Sequence, residues 1–166
     1  RILKFINQQL IKDTNMKHLY TSIYHNPGIS RAHLSKQTAL SKTTVSTLID
    51  ELIERNFILD GGAGESGTTG RKPNQLYLRR NSHFVVVFNW YENRIYTHLV
   101  DIAGTSVFQE ACELKQGEAY VSASRNCFQN SVLQHCAPDE ILGICVVIAA
   151  MIDEKHREIY STTISL

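Results

Sequence analysis

The sequence predicts an α+β protein with a helical N-terminal module, residues 1 to 80, and a β-rich C-terminal module, residues 81 to 166. Apolar residues recur at helical spacing in the first module, whereas short β-rich segments separated by turn residues dominate the second. A Gly-rich span, GGAGESGTTGRKPN, lies near the end of the first module. The net charge of +1 divides into +6 for the first module and −5 for the second. Unless this division arose by chance, it points to nucleic acid or an anionic surface as a partner of the first module alone.

The first module begins with consecutive short helices. Apolar residues from Ile2 to Leu10 outline an opening helix, and those from Met16 to Tyr24 repeat the i, i+3, i+4, i+7 spacing of a second helix. The stretch HNPG ends this second helix, because proline and glycine interrupt helical structure. We therefore expect two helices before residue 28.

Two further helices are predicted from their N-caps. Ser30 and Ser41 can each accept a hydrogen bond from the first turn of a helix, and apolar residues flank each serine at the positions of a hydrophobic staple. A helix of about two turns, Arg31 to Thr38, would meet a longer helix through a three-residue corner. The longer helix carries an apolar stripe, which consists of Val45, Leu48, Ile49, Leu52 and Ile53. This spacing predicts a helix-turn-helix.

The start of the longer helix is interpreted as a DNA-reading surface. Thr43 and Thr47 point away from the apolar stripe, Ser46 flanks them, and the carboxylates come only later in the helix. Phosphates and base edges could therefore approach this end without repulsion, and the helix dipole favours them. The candidate DNA-binding residues are Arg31, Lys36, Ser41, Lys42, Thr43, Thr44, Ser46, Thr47, Arg71 and Lys72. Two alternatives stay open, a solvated helix in a small bundle and a helix-turn-helix used for protein contacts.

The Gly-rich span predicts a β-hairpin wing. FILD and QLYLRR read as two short strands on either side of the span. Within the span, GRKP places Arg71 and Lys72 on a stiffened, extended backbone of the kind that follows a narrow minor groove. A solvated loop and linker with incidental charge is the alternative. With the wing, the first module is predicted to be a winged helix-turn-helix.

The second module reads as a β-β-β-α-β half-domain. Residues 83–88, 94–101 and 105–114 predict an antiparallel meander, and residues 118–136 predict a helix. The nearly continuous apolar run EILGICVVIAAM then predicts a strand buried on both faces, and IDEKHREIY predicts a turn between short strands. Because such a half-domain leaves an edge uncovered, we expect self-association or covering by further sequence.

Composition argues against several other classes of protein. The four cysteines, at spacings of 15, 9 and 9, match no zinc or redox pattern, so we expect reduced structural thiols, no metal and no cofactor. No stretch approaches the roughly eighteen uninterrupted apolar residues of a membrane span, and the first ten residues lack the features of a signal peptide. We expect a cytoplasmic protein that does not contact a membrane.

Residues 28 to 80 strongly resemble the winged helix-turn-helix of repressors in the ROK family (repressors, open reading frames, sugar kinases). The motifs that carry the resemblance are ISRAHLSKQTALSKTTVSTLIDELIERNFILDGG and GRKPNQLYL. It continues, less specifically, in YTHLVDIAGTSVFQE and ILGICVVIAAMID. The resemblance implies that the second module is the opening part of an actin-like, ribonuclease-H-like domain.

Departures from the family pattern argue against an enzyme. Kinases of this family hold phosphate with an Asp-x-Gly-Gly-Thr turn, and Asn89 to Asn93 stand at the matching positions without any of its four defining residues. Ala149 and Ala150 replace the Pro-Gly of the family. The sequence ends before the positions of the family's sugar-contacting and zinc-binding residues, so none of those roles is transferred. We expect a fragment of a longer protein or a truncated relative.

The residues and the resemblance together predict a sequence-specific DNA-binding transcriptional regulator, a repressor of sugar-related genes. The expected partners are double-stranded DNA, a second copy in a homodimer, and a sugar or sugar phosphate as effector. The alternative is a winged-helix protein-interaction module without DNA binding, while a sugar kinase is disfavoured.

Overall fold

The computed structural model describes residues 2–61 and 74–161 and divides into two compact units, Arg1–Arg80 and Asn81–Leu166. The mixed α+β composition predicted from the sequence is confirmed. Among the described residues, none of the helices combines the length and the apolar composition needed to cross a bilayer.

The first unit contains three helices and a small sheet. Its elements in chain order are α1 (Ile2–His25), β1 (Ile29–Ser30), α2 (Arg31–Thr38), α3 (Lys42–Glu54), β2 (Ile58–Asp60) and β3 (Gln75–Leu78). The helices α2 and α3 and the corner between them match the prediction. The three strands form one antiparallel sheet in the order β1-β3-β2, so the predicted wing hairpin is confirmed in its described strands.

The prediction of two helices before residue 28 was wrong, since α1 is one continuous helix of 24 residues. The residues between the two apolar patches, IKDTN, include neither glycine nor proline, so nothing in the sequence breaks the helix there. From Asn7 onward, where burial is described, the residues of α1 that pack on the core begin at Met16. Leu10 and Ile11 are 61% and 60% exposed, whereas Leu19 and Ile23 are fully buried.

One apolar core joins the helices to the sheet in this unit. Its buried residues are Met16, Leu19, Ile23, Leu34, Val45, Leu48, Ile49, Leu52, Ile58 and Leu76. The predicted stripe of α3 supplies four of them, and Ile53 packs partly buried against the cluster. Because both α2 and the sheet contribute residues, this core fixes α3 against the rest of the unit.

The second unit is a four-stranded sheet with one helix. Its elements are β4 (Phe84–Tyr91), β5 (Arg94–Asp101), β6 (Ser106–Glu113), α4 (Tyr120–Asn130), β7 (Ile141–Ile148), β8 (Met151–Asp153) and β9 (Glu158–Tyr160). The sheet order is β6-β5-β4-β7; β4 to β6 are antiparallel, and β7 runs parallel to β4. The predicted β-β-β-α-β order and the final hairpin of β8 and β9 are confirmed.

The predicted helix over residues 118–136 is shorter in the structure. It ends at Asn130, and two short 3-10 turns, Val132–Gln134 and Pro138–Glu140, lead into β7. Pro138 begins the second turn, where its fixed backbone angle suits a helical start. The apolar residues after Asn130 still pack on the core through Val132, which explains why the helical spacing extends too far.

The prediction that β7 is buried on both faces was wrong. Leu142, Ile144 and Val146 are 53%, 56% and 46% exposed, and β4 is the only strand that pairs with β7 in the described part of the chain. A continuous apolar run is typical of a strand buried on both faces. Ile144 and Val146 pair with Val86 and Phe88 and therefore lie on the core face of the sheet, yet they stay exposed, and so does Val147 on the opposite face. The run therefore leaves an apolar surface on β7.

Candidate nucleic-acid interface

The start of α3 is held by the side chain of Ser41. The Oγ atom of Ser41 accepts a hydrogen bond from the backbone N–H of Thr44 at 3.0 Å and lies 2.8 Å from the hydroxyl of Thr44. Ser30 caps α2 in the same way, accepting from the N–H of His33 at 3.2 Å. The predicted caps are thus confirmed, and the hydroxyls of Ser41 and Thr44 help to form the cap as well as being candidate DNA contacts.

The corner between α2 and α3 is fixed by local hydrogen bonds and by one unusual backbone conformation. Ala39 ends α2 at φ 56° and ψ 15°, the left-handed region that residues with a Cβ seldom adopt. Ser35 donates its hydroxyl to the carbonyl of Leu40 at 2.7 Å, and Thr38 donates to the carbonyl of Leu34 at 2.7 Å. These contacts set the direction in which α3 leaves the corner.

Four candidate side chains form the outward surface at the start of α3. Lys42, Thr43 and Thr47 are exposed, and Ser46 is half-buried beside them. The hydroxyl of Thr47 donates to the carbonyl of Thr43 at 3.1 Å, so its oxygen can still accept a hydrogen bond from a ligand. The first turn of α3 contains no acidic residue. This surface, defined by Lys42, Thr43, Ser46 and Thr47, is called the α3 hydroxyl surface below.

Two carboxylates further along α3, those of Asp50 and Glu51, form ion pairs within the unit. The carboxylate of Asp50 lies 2.7 Å from the guanidinium of Arg31, and that of Glu51 lies 2.6 Å from Lys12 and 2.7 Å from Arg55. The hydrogen bond from Lys12 lowers the pKa of Glu51 from its ordinary value, and Arg55 acts in the same direction. Cations therefore offset the negative charge that follows the α3 hydroxyl surface.

Arg31 holds three parts of the first unit together. Besides its ion pair with Asp50, its guanidinium donates to the backbone carbonyl of Ser46 at 3.3 Å and reaches the carboxylate of Asp60 on β2 at 3.5 Å. The side chain is 27% exposed. We name this set of contacts the Arg31 network, and it links α2 to α3 and to the wing. Sequence reasoning missed it, because its partners lie 15 to 29 residues away with no local pattern to mark them.

Of the remaining candidate cations, Lys36 lies within the described residues. Lys36 is exposed in the last turn of α2. Arg71 and Lys72 lie outside the described residues. Of the predicted set, the structure therefore brings together the residues of α3 and places Lys36 on the neighbouring helix.

The positions that match the kinase phosphate turn form a tight hairpin in the second unit. Asn89 and Tyr91 belong to β4, and the strand returns as β5 at Arg94. Glu92 occupies a left-handed conformation, φ 54°, and its carbonyl accepts a hydrogen bond from the hydroxyl of Tyr120. A phosphate cradle needs several free backbone N–H groups made accessible by glycine, and this hairpin presents bulky side chains instead.

A family model described as "Winged helix-turn-helix DNA-binding" matches residues 12–58. The chain is 30% identical over 153 residues to the xylose repressor of Caldicellulosiruptor bescii, covering 90% of this chain and 38% of that protein. It is 26% identical over 161 residues to the xylose repressor of Bacillus subtilis, covering 93% of this chain and 41% of that protein. The chain thus spans about two fifths of the length of these curated relatives.

A solved structure has the same fold. The crystal structure of a ROK family transcriptional regulator, described as a homologue of the E. coli MLC protein, superposes with a TM-score of 0.67 at 18% identity. The match covers 86% of this chain and 37% of that one. The similarity in sequence and the shared fold confirm the resemblance to ROK family transcriptional repressors, in their winged helix-turn-helix and in the opening part of their sugar-kinase-like domain.

Proposed function

We propose that this chain is the DNA-binding part of a sequence-specific transcriptional repressor of sugar-related genes. The observation that carries the proposal is the α3 hydroxyl surface. It lies at the positive end of a helix dipole, free of carboxylates, on a winged helix-turn-helix. Similarity to xylose repressors supports the choice of a repressor and of sugar-related genes.

The residues at the start of α3 divide into reading and positioning groups. Thr43, Ser46 and Thr47 present hydroxyls that can contact base edges in the major groove, while Lys42 can pair with a phosphate. The hydroxyls of Ser41 and Thr44 already bond to each other, and that of Ser41 also accepts the backbone N–H of Thr44, so both residues contribute to DNA binding mainly by forming the cap. The backbone N–H groups of Lys42 and Thr43 remain suited to a phosphate oxygen, whereas that of Thr44 is donated to Ser41.

The cations outside α3 would bind the DNA backbone. Lys36 is exposed on α2, the helix that crosses the backbone in this motif. Arg71 and Lys72 are proposed from the sequence to follow the adjacent minor groove, with a preference for A·T-rich flanks. Arg31 is a further candidate DNA-binding residue, but its network favours a positioning role, because the guanidinium is already engaged by Asp50.

The test is a binding-site selection followed by salt titration. The purified chain is used to select duplexes from a random library, and affinity for the selected operator is compared with that for random duplex over a range of salt. Specific binding should weaken log-linearly with salt. Thr47→Ala should cost about 1 to 3 kcal/mol on the operator and little on random duplex, since a base contact is lost and phosphate contacts remain.

The matched control is Thr21→Ala, which removes an exposed hydroxyl from α1. This variant should bind both duplexes like the unchanged chain. A triple variant with alanine at Thr43, Ser46 and Thr47 that keeps its operator preference would contradict the reading role of α3. A chain that has no duplex affinity at any salt concentration would favour the alternative, a winged-helix module for protein contacts.

We also propose a homodimer, a sugar or sugar-phosphate effector, no enzymatic activity and a cytoplasmic location. Operators with two-fold symmetry favour a dimeric regulator, and the apolar surface of β7 supplies area that association could bury. The names of the relatives suggest the class of effector. The bulky hairpin at Asn89 to Asn93 argues against ATP use, which a sugar-dependent ATPase assay of the purified chain would test.

A further inference from the structure

Three potential metal ligands converge at the apolar core of the second unit, to which Cys112 and Cys127 also belong. Glu110 and Cys112 lie two residues apart on β6 and therefore share a face of the sheet, and Cys127 reaches them from α4. One donor atom from each residue lies within 4.8 Å of the other two. Cys127 is buried, while Glu110 and Cys112 are half-buried at the border of the sheet.

Two oxygen atoms at this cluster lack the hydrogen bonds that buried oxygens normally make. The Oε1 atom of Glu110 is buried without a partner, and so is the Oγ1 atom of Thr97. Thr97 is fully buried and stands directly opposite Glu110 in the β5–β6 ladder, so both side chains project to the face that α4 covers. Because nearly all buried polar atoms in proteins are satisfied, two unsatisfied neighbours indicate a ligand.

The charge at the cluster favours a cation. Two sulfur donors and one carboxylate lie within 4.8 Å of one another, and a divalent cation would neutralise the negative charge that they carry when deprotonated.

We propose that Glu110, Cys112 and Cys127 form a binding site for a thiophilic divalent cation, with Zn²⁺ as the ion that these ligands match best. Zinc accepts thiolate sulfur and carboxylate oxygen, and three protein ligands leave a fourth position for water. Binding converts two thiols and one carboxylate into a complex of net charge −1 and releases two protons to the solvent. Thr97, opposite Glu110, can then donate its hydroxyl to a carboxylate oxygen.

A metal bound at this site would link the edge strand β6 to α4. In the described part of the chain, β6 pairs with β5 alone, so its other edge is free. A metal bound by β6 and α4 would hold that strand in place. The proposal departs from the prediction drawn from cysteine spacing, because the ligands come from a strand and a helix and therefore need not follow the short spacings of a zinc finger.

The test uses the full chain, reduced and stripped of metal, with Zn²⁺ alone and Co²⁺ alone as probes. We expect one equivalent of zinc to remain after gel filtration and cobalt to give a thiolate-to-cobalt charge-transfer absorption. Cys112→Ser and Cys127→Ser should abolish both signals, and Glu110→Gln should weaken zinc binding at least tenfold. Because two protons leave, affinity should fall up to about 100-fold per unit decrease in pH.

The matched controls are Cys145→Ser, on the exposed strand β7, and Cys136→Ser, whose thiol faces the carbonyl of Val132. Both variants should keep the metal. If the unchanged chain retains no zinc and gives no cobalt absorption, the proposal fails regardless of how any variant folds. It also fails if Cys145→Ser loses the metal while Cys112→Ser keeps it, because the thiolate ligands would then lie elsewhere.

Discussion

The guanidinium of Arg31 lies 2.7 Å from the carboxylate of Asp50, so the first residue of α2 is tied to the middle of α3. The same guanidinium reaches Asp60 on the wing strand at 3.5 Å. One cation therefore connects the helix-turn-helix with its wing, and it also neutralises a carboxylate that would otherwise repel DNA. The orientation of α3 relative to the wing depends on this residue.

Arg31→Gln should lower the free energy of unfolding by an amount on the order of 1 kcal/mol, because the ion pairs are partly exposed. Operator affinity should fall with little change in its salt dependence, since the guanidinium is occupied within the protein. Lys36→Ala is the matched comparison, and it should reduce the slope of log affinity against log salt by about one. Equal losses of slope in the two variants would show that Arg31 contacts phosphate.

Ser41 allows the cap to be separated from DNA contact. Ser41→Ala should cost about 1 kcal/mol of stability, because the N–H of Thr44 loses its acceptor. Ser41→Asp keeps an effective N-cap but adds a negative charge where phosphate is expected to approach. Thermal unfolding should therefore rank Asp above Ala, whereas DNA affinity should rank Ala above Asp. The same rank order in both measurements would argue that DNA does not approach this end of α3.

Ala39 stores strain at the corner. Its φ of 56° is accessible to glycine without steric cost, so Ala39→Gly should stabilise the chain, by about 1 kcal/mol or less after the entropy of the unfolded chain is included. Ala32→Gly, inside α2, should instead destabilise by roughly 0.5 to 1 kcal/mol. Chemical denaturation of both variants checks this pair. A loss of stability in Ala39→Gly would mean that the left-handed conformation costs little here.

The ion pair between Lys12 and Glu51 predicts a specific dependence of stability on acid. Its hydrogen bond lowers the pKa of Glu51, so the folded state holds the charged carboxylate more firmly than the unfolded chain does. The stabilisation is present above the ordinary carboxyl pKa and is lost as pH falls through the lowered folded value. The difference in unfolding free energy between the unchanged chain and Lys12→Met should be constant from pH 7 to about 5 and should disappear in stronger acid. A difference that grows in acid would contradict the assignment.

Local chemistry explains which parts of the fold could be predicted from sequence. The N-caps at Ser30 and Ser41 depend on residues within one helical turn, and the α3 stripe follows from helical periodicity alone, so both were visible. The continuity of α1 was not visible in the sequence, because the change in apolar spacing after Leu10 resembles a helix end. The Arg31 network and the cluster of Glu110, Cys112 and Cys127 depend on residues that only tertiary structure brings together.

The separation of tasks along α3 has a consequence for how such a regulator could acquire a new target. Capping uses Ser41, and core packing uses the buried stripe. The ion pairs use Asp50 and Glu51. The side chains of positions 42, 43 and 47 are exposed and take no part in the core. Substitutions at these positions would change operator preference with little effect on stability. The recognised DNA sequence can therefore change while the cap, the core and the ion pairs of α3 are kept.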